Sequence, residues 1–197
     1  MLGRTANGLY WMYRYLERAE NTSRLVETGQ RLALTRMGTS DDEWRPVLQS
    51  AGVWEAYQAA NDTLTKDAAI DWLLRAPENV SSVKSCFDAA RANARGVRTA
   101  LTEESWEAVN GAYMDVKDLL SKKLRERDLP GALGRIRRHT ALVRGTTHGT
   151  MLRNDIYDFV RIGTFLERAD NTARILDVKY YVLLPTAFGV GSQVDNV

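Results

Sequence analysis

Residues 16–24 read LERAENTSR, and residues 166–174 read LERADNTAR. Seven of the nine positions are identical, and the other two exchange one acid for another and serine for alanine. Internal repetition reports architecture, so two copies placed 150 positions apart indicate one structural unit that is used twice. The rest of the chain is then the frame that brings the two copies together.

Each copy has a polar arc and an apolar arc when it is drawn as a helix. In the first copy, Glu20, Asn21, Arg24 and Thr28 fall within about 60° of Glu17. The opposite arc holds small and apolar residues, namely Met12, Leu16, Ala19, Ser23 and Val26. The second copy repeats both arcs.

Local pairing accounts for part of the polar arc. Glu20 with Arg24 and Asp170 with Arg174 stand four positions apart with the acid first, the better orientation for an ion pair. Each such pair stabilises a helix by only about 0.2–0.5 kcal/mol.

Glu167 has no local ion-pair partner of this kind. Arg14 stands three positions before Glu17, whereas Thr164 stands three positions before Glu167. Because Glu167 has no cation three or four positions away, its partner is expected to be water, another helix or a ligand. We expect Glu17 and Glu167 to meet arginines of the opposite copy or of residues 91–98.

Three interpretations of the polar arcs stay open. They form a solvated helix face, a buried network in which the two copies satisfy one another, or a binding site. In the third case Glu17 and Glu167 are the candidate catalytic groups. The candidate ligand- or partner-binding residues are Arg18, Glu20, Asn21, Arg24, Arg168, Asp170, Asn171, Arg174, Arg144, His148 and Arg153.

A metal site is not expected. Helical di-metal centres use Glu-x-x-His motifs, and no histidine stands three positions after Glu17, Glu20, Glu167 or Asp170. The arginines of the arc also oppose cation binding. The chain has no phosphate-binding loop motif, so we expect no cofactor.

Apolar residues at three- and four-residue spacing predict helices throughout the chain. The expected long helices cover about 5–35, 79–101, 102–127, 131–147 and 153–184, with short helices between 43 and 76 and a loop at 38–42. Ser40 or Asp41, Asn79 or Ser81, and Thr102 are the expected caps. The four-residue spacing of Gly145 and Gly149 allows a close approach between helix backbones. We therefore predict an all-α multi-helix bundle with long first and last helices, one domain over 1–187 and a flexible tail over 188–197.

Bulk composition points to an ordinary soluble protein. Hydrophobic residues make up 44% of the chain, and 27 basic and 25 acidic residues leave a net charge of +2, which does not argue for nucleic acid. The single cysteine, Cys86, fits a reducing compartment. Without a signal peptide or a long apolar run, we predict a cytoplasmic protein with no membrane span.

In the repeat and in several other segments, the chain resembles the bacterial alpha-E domain family, formerly a family of unknown function. Besides the repeat, the resemblance rests on residues 1–6, 81–86, 90–95, 149–153 and 165–180. His148 and Asn93 depart from the pattern. Family members are generally near 300 residues, so the resemblance implies a truncated or naturally short member. Surface left by the absent second half would then favour a homo-oligomer.

The resemblance also implies a functional setting. Alpha-E proteins are typically encoded beside or fused to circularly permuted ATP-grasp proteins, often with transglutaminase-like proteins. The first hypothesis is an accessory, non-catalytic partner of such a ligase in an amide- or peptide-bond-forming or peptide-modifying pathway. The alternatives are an enzyme of that pathway, with Glu17 and Glu167 as general acid and base and arginines holding an anionic substrate, and a self-associating structural protein.

Overall fold

A computed structural model describes residues 3–35 and 43–183, and every regular element in these ranges is helical. The eight α-helices within these ranges are α1 Gly3–Thr35, α2 Trp44–Ser50, α3 Trp54–Ala60, α4 Lys66–Leu74, α5 Val83–Gly96, α6 Glu103–Leu119, α7 Leu129–Thr150 and α8 Asp155–Leu183. Short 3₁₀ segments cover Arg98–Ala100 and Glu126–Asp128. The all-α prediction is therefore confirmed for these residues. The predicted loop at 38–42 and the tail at 188–197 lie outside them.

Helices α1, α5, α6 and α7 form an antiparallel four-helix arrangement. Arg91 of α5 donates to Asn110 of α6 at 2.8 Å, and Thr102 at the start of α6 meets Thr150 at the end of α7. The hydroxyl of Tyr13 in α1 contacts Thr147 of α7. Because α6 runs opposite to α5, and α7 runs opposite to α6, short connections join these helices. Helices α2, α3 and α4 lie between α1 and α5.

Helix α8 runs parallel to α1 and packs along it. Gly163 lies against Tyr10, and further along both helices Glu167 meets Arg18. The parallel direction follows from the turn after α7, which reverses the chain so that α8 runs with α1. This packing places the two copies of the repeat side by side and confirms that the long first and last helices pack together.

Two glycines permit close approaches of α1 to its neighbours. A Cβ atom at Gly163 would lie 2.4 Å from the carbonyl oxygen of Tyr10, and one at Gly8 would lie 2.4 Å from Cγ1 of Val97. The close approach that the spacing of Gly145 and Gly149 allows does not occur, because an added Cβ at either would meet nothing within 4 Å. Both of these glycines lie on the exposed side of α7.

The start of α5 differs from the prediction. Its N-cap is Ser82, whose side chain accepts a hydrogen bond from the amide of Ser85. Asn79 is unavailable as a cap because its side chain holds the preceding turn, donating to the carbonyl of Trp72 and accepting from the amide of Ser81.

Two helix ends also come earlier than predicted. Helix α5 ends at Gly96 rather than near residue 101, and α6 ends at Leu119 rather than near 127. After α6, the chain turns at Leu120, whose side chain is fully buried, and the amide of Ser121 donates to the carbonyl of Asp118. The cap predicted at Thr102 is confirmed, since its side chain accepts from the amide of Ser105.

The apolar core lies among α1 to α7. It is formed by large side chains such as Leu9, Met12, Trp44, Phe87 and Ile136, all nearly inaccessible to solvent. From α8, Val160 joins this core, with Ile156 and Phe159 packed at its margin. In the described ranges, no helix is sufficiently long and apolar to cross a membrane.

Candidate functional site

The two copies of the repeat exchange ion pairs across the α1–α8 contact. Nε of Arg168 donates to Oε1 of Glu17 at 2.6 Å, and Nε of Arg18 donates to Oε1 of Glu167, also at 2.6 Å. The second nitrogen of each arginine reaches the other carboxylate oxygen, at 3.3 Å and 3.1 Å. The Glu-Arg dipeptide of each copy thus pairs with the dipeptide of the other. The expectation that Glu17 and Glu167 would meet arginines of the opposite copy is confirmed.

A further arginine reaches each of these carboxylates. Arg14 donates to Glu167 at 2.7 Å, and Arg144 of α7 donates to Glu17 at 3.2 Å. Arg14 therefore serves the opposite copy, although its sequence position suggested a pair with Glu17. The partner of Glu167 is another helix, which is one of the three kinds of partner that the lack of a local cation left open.

Glu20 anchors α1 to α7. Its carboxylate accepts from Arg24 at 2.8 Å, from Arg144 at 3.0 Å and from Thr140 at 2.9 Å. Burial alone would raise the pKa of Glu20, but these hydrogen bonds outweigh it and hold the pKa below its ordinary value. The predicted pair of Glu20 with Arg24 is present, and it belongs to a larger cluster.

The glutamates of the network are buried. Glu17, Glu20 and Glu167 expose only 5%, 4% and 3% of their surface. The interpretation of the whole polar arc as a solvated face is therefore wrong for these three residues. Removing charges from water is expensive, and it is tolerated where opposite charges and hydrogen bonds compensate, as they do here.

The apolar arcs of the two copies have opposite surroundings. In the first copy Met12, Leu16, Ala19 and Val26 are buried. In the second copy the equivalent positions face solvent, and with Phe165 they form what we call the outer α8 face, comprising Ile162, Phe165, Leu166, Ala169, Ala173 and Leu176. Its large members are 45% to 60% exposed. The same apolar arc is thus packed into the core in α1 and exposed to solvent in α8.

A polar crevice lies beside the network. Asn21 and Asn171, equivalent positions of the two copies, both line it, together with Asp170, Arg174 and the turn at Gly52. Arg174 donates to Asp170 at 3.1 Å, which confirms the predicted local pair.

The remaining candidates, His148 and Arg153, lie at the α7–α8 corner around Tyr157. Tyr157 accepts from Arg153 at 3.0 Å and from Arg161 at 3.4 Å, and its hydroxyl contacts Nδ1 of His148. Burial and then the nearby arginine charges lower the pKa of His148. A neutral His148 can accept a hydrogen bond from the hydroxyl of Tyr157 at Nδ1, which leaves both lone pairs of the Tyr157 oxygen for the arginines.

Cys86 is not part of a reactive site. Its side chain is inaccessible to solvent, and burial raises the pKa of the thiol to about 12. Reactive cysteines instead have depressed pKa values and partial exposure. Among residues 3–35 and 43–183, no three His, Cys, Asp or Glu side chains are grouped so as to hold a metal ion.

A family model matches residues 1–197, the whole chain. Its description is Alpha-E, a predicted alpha-helical domain with a conserved ER motif. The chain belongs to the Alpha-E family. Searches of curated proteins and of solved structures found no significant match. In this Alpha-E chain, the Glu-Arg dipeptides at 17–18 and 167–168 supply the reciprocal pairs between α1 and α8.

Sequence reasoning missed several residues of the site. Thr140, Tyr157 and Arg161 come from outside the repeat, and Gly52 comes from the α2–α3 turn. Only Gly52 carried a local signal, because a glycine between two short helices marks a turn. The other three become recognisable when α7 and α8 are placed against α1.

Proposed function

We propose that this Alpha-E protein is a non-catalytic helical partner of a circularly permuted ATP-grasp ligase in an amide- or peptide-bond-forming or peptide-modifying pathway. The identity of the partner rests on the family resemblance. The observation that carries a partner role is the outer α8 face. Apolar patches of this kind on a folded protein mark sites of interaction with other proteins.

The chemistry at the border of this face also supports docking. Arg161 and Arg168 lie over the ring of Phe165, at 4.6 Å and 5.5 Å from its centre. Aromatic and arginine side chains are enriched where protein interfaces bind most strongly. A partner surface with apolar side chains surrounded by carboxylates would match both parts of the face.

The ion-pair network favours a structural role over a catalytic one. Both oxygens of Glu17 and of Glu167 accept hydrogen bonds from arginines. A general base must be within reach of the substrate proton that it removes, and these carboxylates are buried and already occupied. Their geometry serves to hold α8 against α1.

Co-expression tests the partner role. Tagged Alpha-E protein and an ATP-grasp protein from the same genome are expected to purify as a complex, and Leu166→Glu is expected to abolish it. The matched control is Leu142→Glu, which places the same charge at a leucine of similar exposure, 55% against 48%, on α7. Absence of a complex with the unsubstituted chain, or equal loss in both variants, would refute the proposal.

Self-association through the same face is the alternative that light scattering separates. If the face pairs two copies of this chain, the purified protein is a dimer that Leu166→Glu converts to a monomer. A monomer at all concentrations would exclude this alternative and leave the face to a different partner.

A further inference from the structure

The polar crevice lies between α1 and α8, beneath the α2–α3 turn. It has a volume of about 480 Å³ including its open mouth. Its walls are largely polar and come from both copies of the repeat, from the turn and from the residues before α5. The lining residues that matter here are Arg18, Asn21, Gly52, Asp170, Asn171 and Arg174.

The asparagines of the repeat have no role in the ion-pair network. Glu17, Arg18, Glu167 and Arg168 are accounted for by the reciprocal pairs, whereas Asn21 and Asn171 both face the crevice. The Nδ2 atom of Asn21 is buried and finds no acceptor among the described residues. An unsatisfied buried donor costs about 1–3 kcal/mol, so an acceptor that enters from the crevice and reaches this atom would stabilise the protein.

Arg174 adds a charged donor to the same wall. Its Nε is used by Asp170 at 3.1 Å, and its guanidinium lies over the turn, where a Cβ at Gly52 would be 2.5 Å from Nη1. Gly52 has a φ of 69°, a conformation that glycine adopts without strain. The glycine therefore both forms the turn and leaves room for the guanidinium.

The two carboxylates of the crevice, those of Glu167 and Asp170, differ in their remaining capacity to accept hydrogen bonds. Glu167 is fully engaged by Arg14 and Arg18. Asp170 is half-buried, and the hydrogen bond from Arg174 uses its Oδ2 atom. Donors for an anion thus lie next to one carboxylate that can receive a cation.

The geometry points to a binding site for a free α-amino acid in this crevice. The carboxylate of the ligand accepts hydrogen bonds from Asn21, Asn171 and Arg174, and its ammonium group pairs with Asp170. An α-amino acid carries both charges on groups attached to one carbon. This suits Asp170, Asn171 and Arg174, which lie within one helical turn of α8, together with Asn21, which lines the same crevice from α1. This inference is independent of docking through the outer α8 face.

Amide NMR of the isotope-labelled full chain tests the site with three probes. Glycine carries both charges, acetate only the negative one and methylammonium only the positive one. Glycine is expected to shift the side-chain amides of Asn21 and Asn171 and the backbone amide of Gly52 saturably, with an apparent affinity about tenfold above that of acetate. No saturable shift with glycine would mean a crevice filled by water only, and equal affinity for acetate would overturn the amino-acid assignment.

Two variants localise the effect. Asn21→Ala and Asn171→Ala are each expected to weaken glycine binding about tenfold, the loss expected for one hydrogen bond to a charged group. Asn21→Ala removes a donor that lacks a partner in the chain, so it should melt no earlier than the unsubstituted protein. Asn93→Ala on α5 is the control, because its side chain donates to the carbonyl of Ala89. If Asn21→Ala fails to fold, the Asn171→Ala variant alone decides the test. An unchanged affinity of the Asn171→Ala variant for glycine would refute the site.

Discussion

The carboxylate of Glu167 accepts three hydrogen bonds, one from Arg14 and two from Arg18. Its side chain is 4% exposed, and those of the arginines are 18% and 24% exposed. Charge is therefore concentrated at a point where water has little access. A single substitution at such a point leaves two guanidinium groups without their anion.

Glu167→Gln is accordingly expected to lower the free energy of unfolding by about 3 kcal/mol, since removing one member of a buried pair strands the other. Denaturant unfolding followed by circular dichroism measures it. The matched control is Glu107→Gln, an exposed glutamate of α6, which should change stability by less than about 0.5 kcal/mol. Equal effects of the two changes would mean that the network does not stabilise the fold.

Glu20 makes the stability of the folded protein depend on pH in the acidic range. Its folded pKa is below the ordinary value of 4.5 because hydrogen bonds from Arg24, Arg144 and Thr140 outweigh burial. A carboxyl group with a depressed pKa contributes stability that is present above 4.5 and is lost as pH falls from 4.5 through the folded value. Glu20→Gln should be less stable at neutral pH and should show a shallower loss of stability in this acid range. An unchanged slope would contradict this role of Glu20.

The thiol of Cys86 should be protected from reagents in the folded protein. With a pKa of about 12 and no exposed surface, it can react only when the chain opens, because the thiolate is the nucleophile. A disulfide reagent is expected to label the protein slowly at neutral pH and faster as denaturant is added. Val80→Cys, at a position 76% exposed, is the positive control and should react at once. Immediate labelling of Cys86 in the unsubstituted protein would contradict the buried placement.

At the level of helices, the α1–α8 contact depends on Gly163. A Cβ there would lie 2.4 Å from the carbonyl oxygen of Tyr10, a backbone atom that cannot move without moving α1. Gly163→Ala is therefore expected to destabilise the protein by about 1–3 kcal/mol, the usual cost of overpacking. Thermal unfolding measures the change.

Gly145→Ala is the matched control within α7. An added Cβ at Gly145 meets nothing within 4 Å, and alanine is favoured over glycine inside helices by about 0.5–1 kcal/mol. The same substitution should thus stabilise at 145 and destabilise at 163. The same sign at both positions would show that helix propensity, rather than interhelical distance, decides the outcome.

The two glycines also show how far sequence reasoning reaches. Periodicity along the chain predicted the helices, and residue type predicted the cap at Thr102. The repeat predicted that Glu17 and Glu167 meet arginines of the opposite copy or of residues 91–98, and the structure shows the opposite copy. Periodicity did not separate Gly145 and Gly149, which face solvent, from Gly163, which touches a backbone. Spacing reports which side of a helix a residue occupies, whereas contact depends on which neighbour covers that side. For the same reason the apolar arc repeated in α8 gave no sign that it is exposed.

At the scale of the whole molecule, two kinds of interaction hold the helices together, namely apolar packing and ion pairs. Apolar packing unites α1 to α7. Beyond Val160, the described side chains of α8 lie outside this apolar core, and Glu167 and Arg168 form ion pairs with Arg18 and Glu17 of α1. Burial of apolar surface is insensitive to protonation, but an ion pair is lost when its carboxylate is neutralised. The two parts should therefore respond differently to acid.

Hydrogen exchange measured at decreasing pH tests this division. Backbone amides of residues 164–178 in α8 are expected to lose protection at a higher pH than those of α5 and α6, because local opening of α8 breaks few apolar contacts. Exchange rates must be corrected for the intrinsic effect of pH, and Glu167→Gln at neutral pH should reproduce the pattern without acid. If α8, α5 and α6 lose protection together, the ion pairs are one part of a single cooperative unit, and the apolar contacts near Val160 suffice to hold α8 in place.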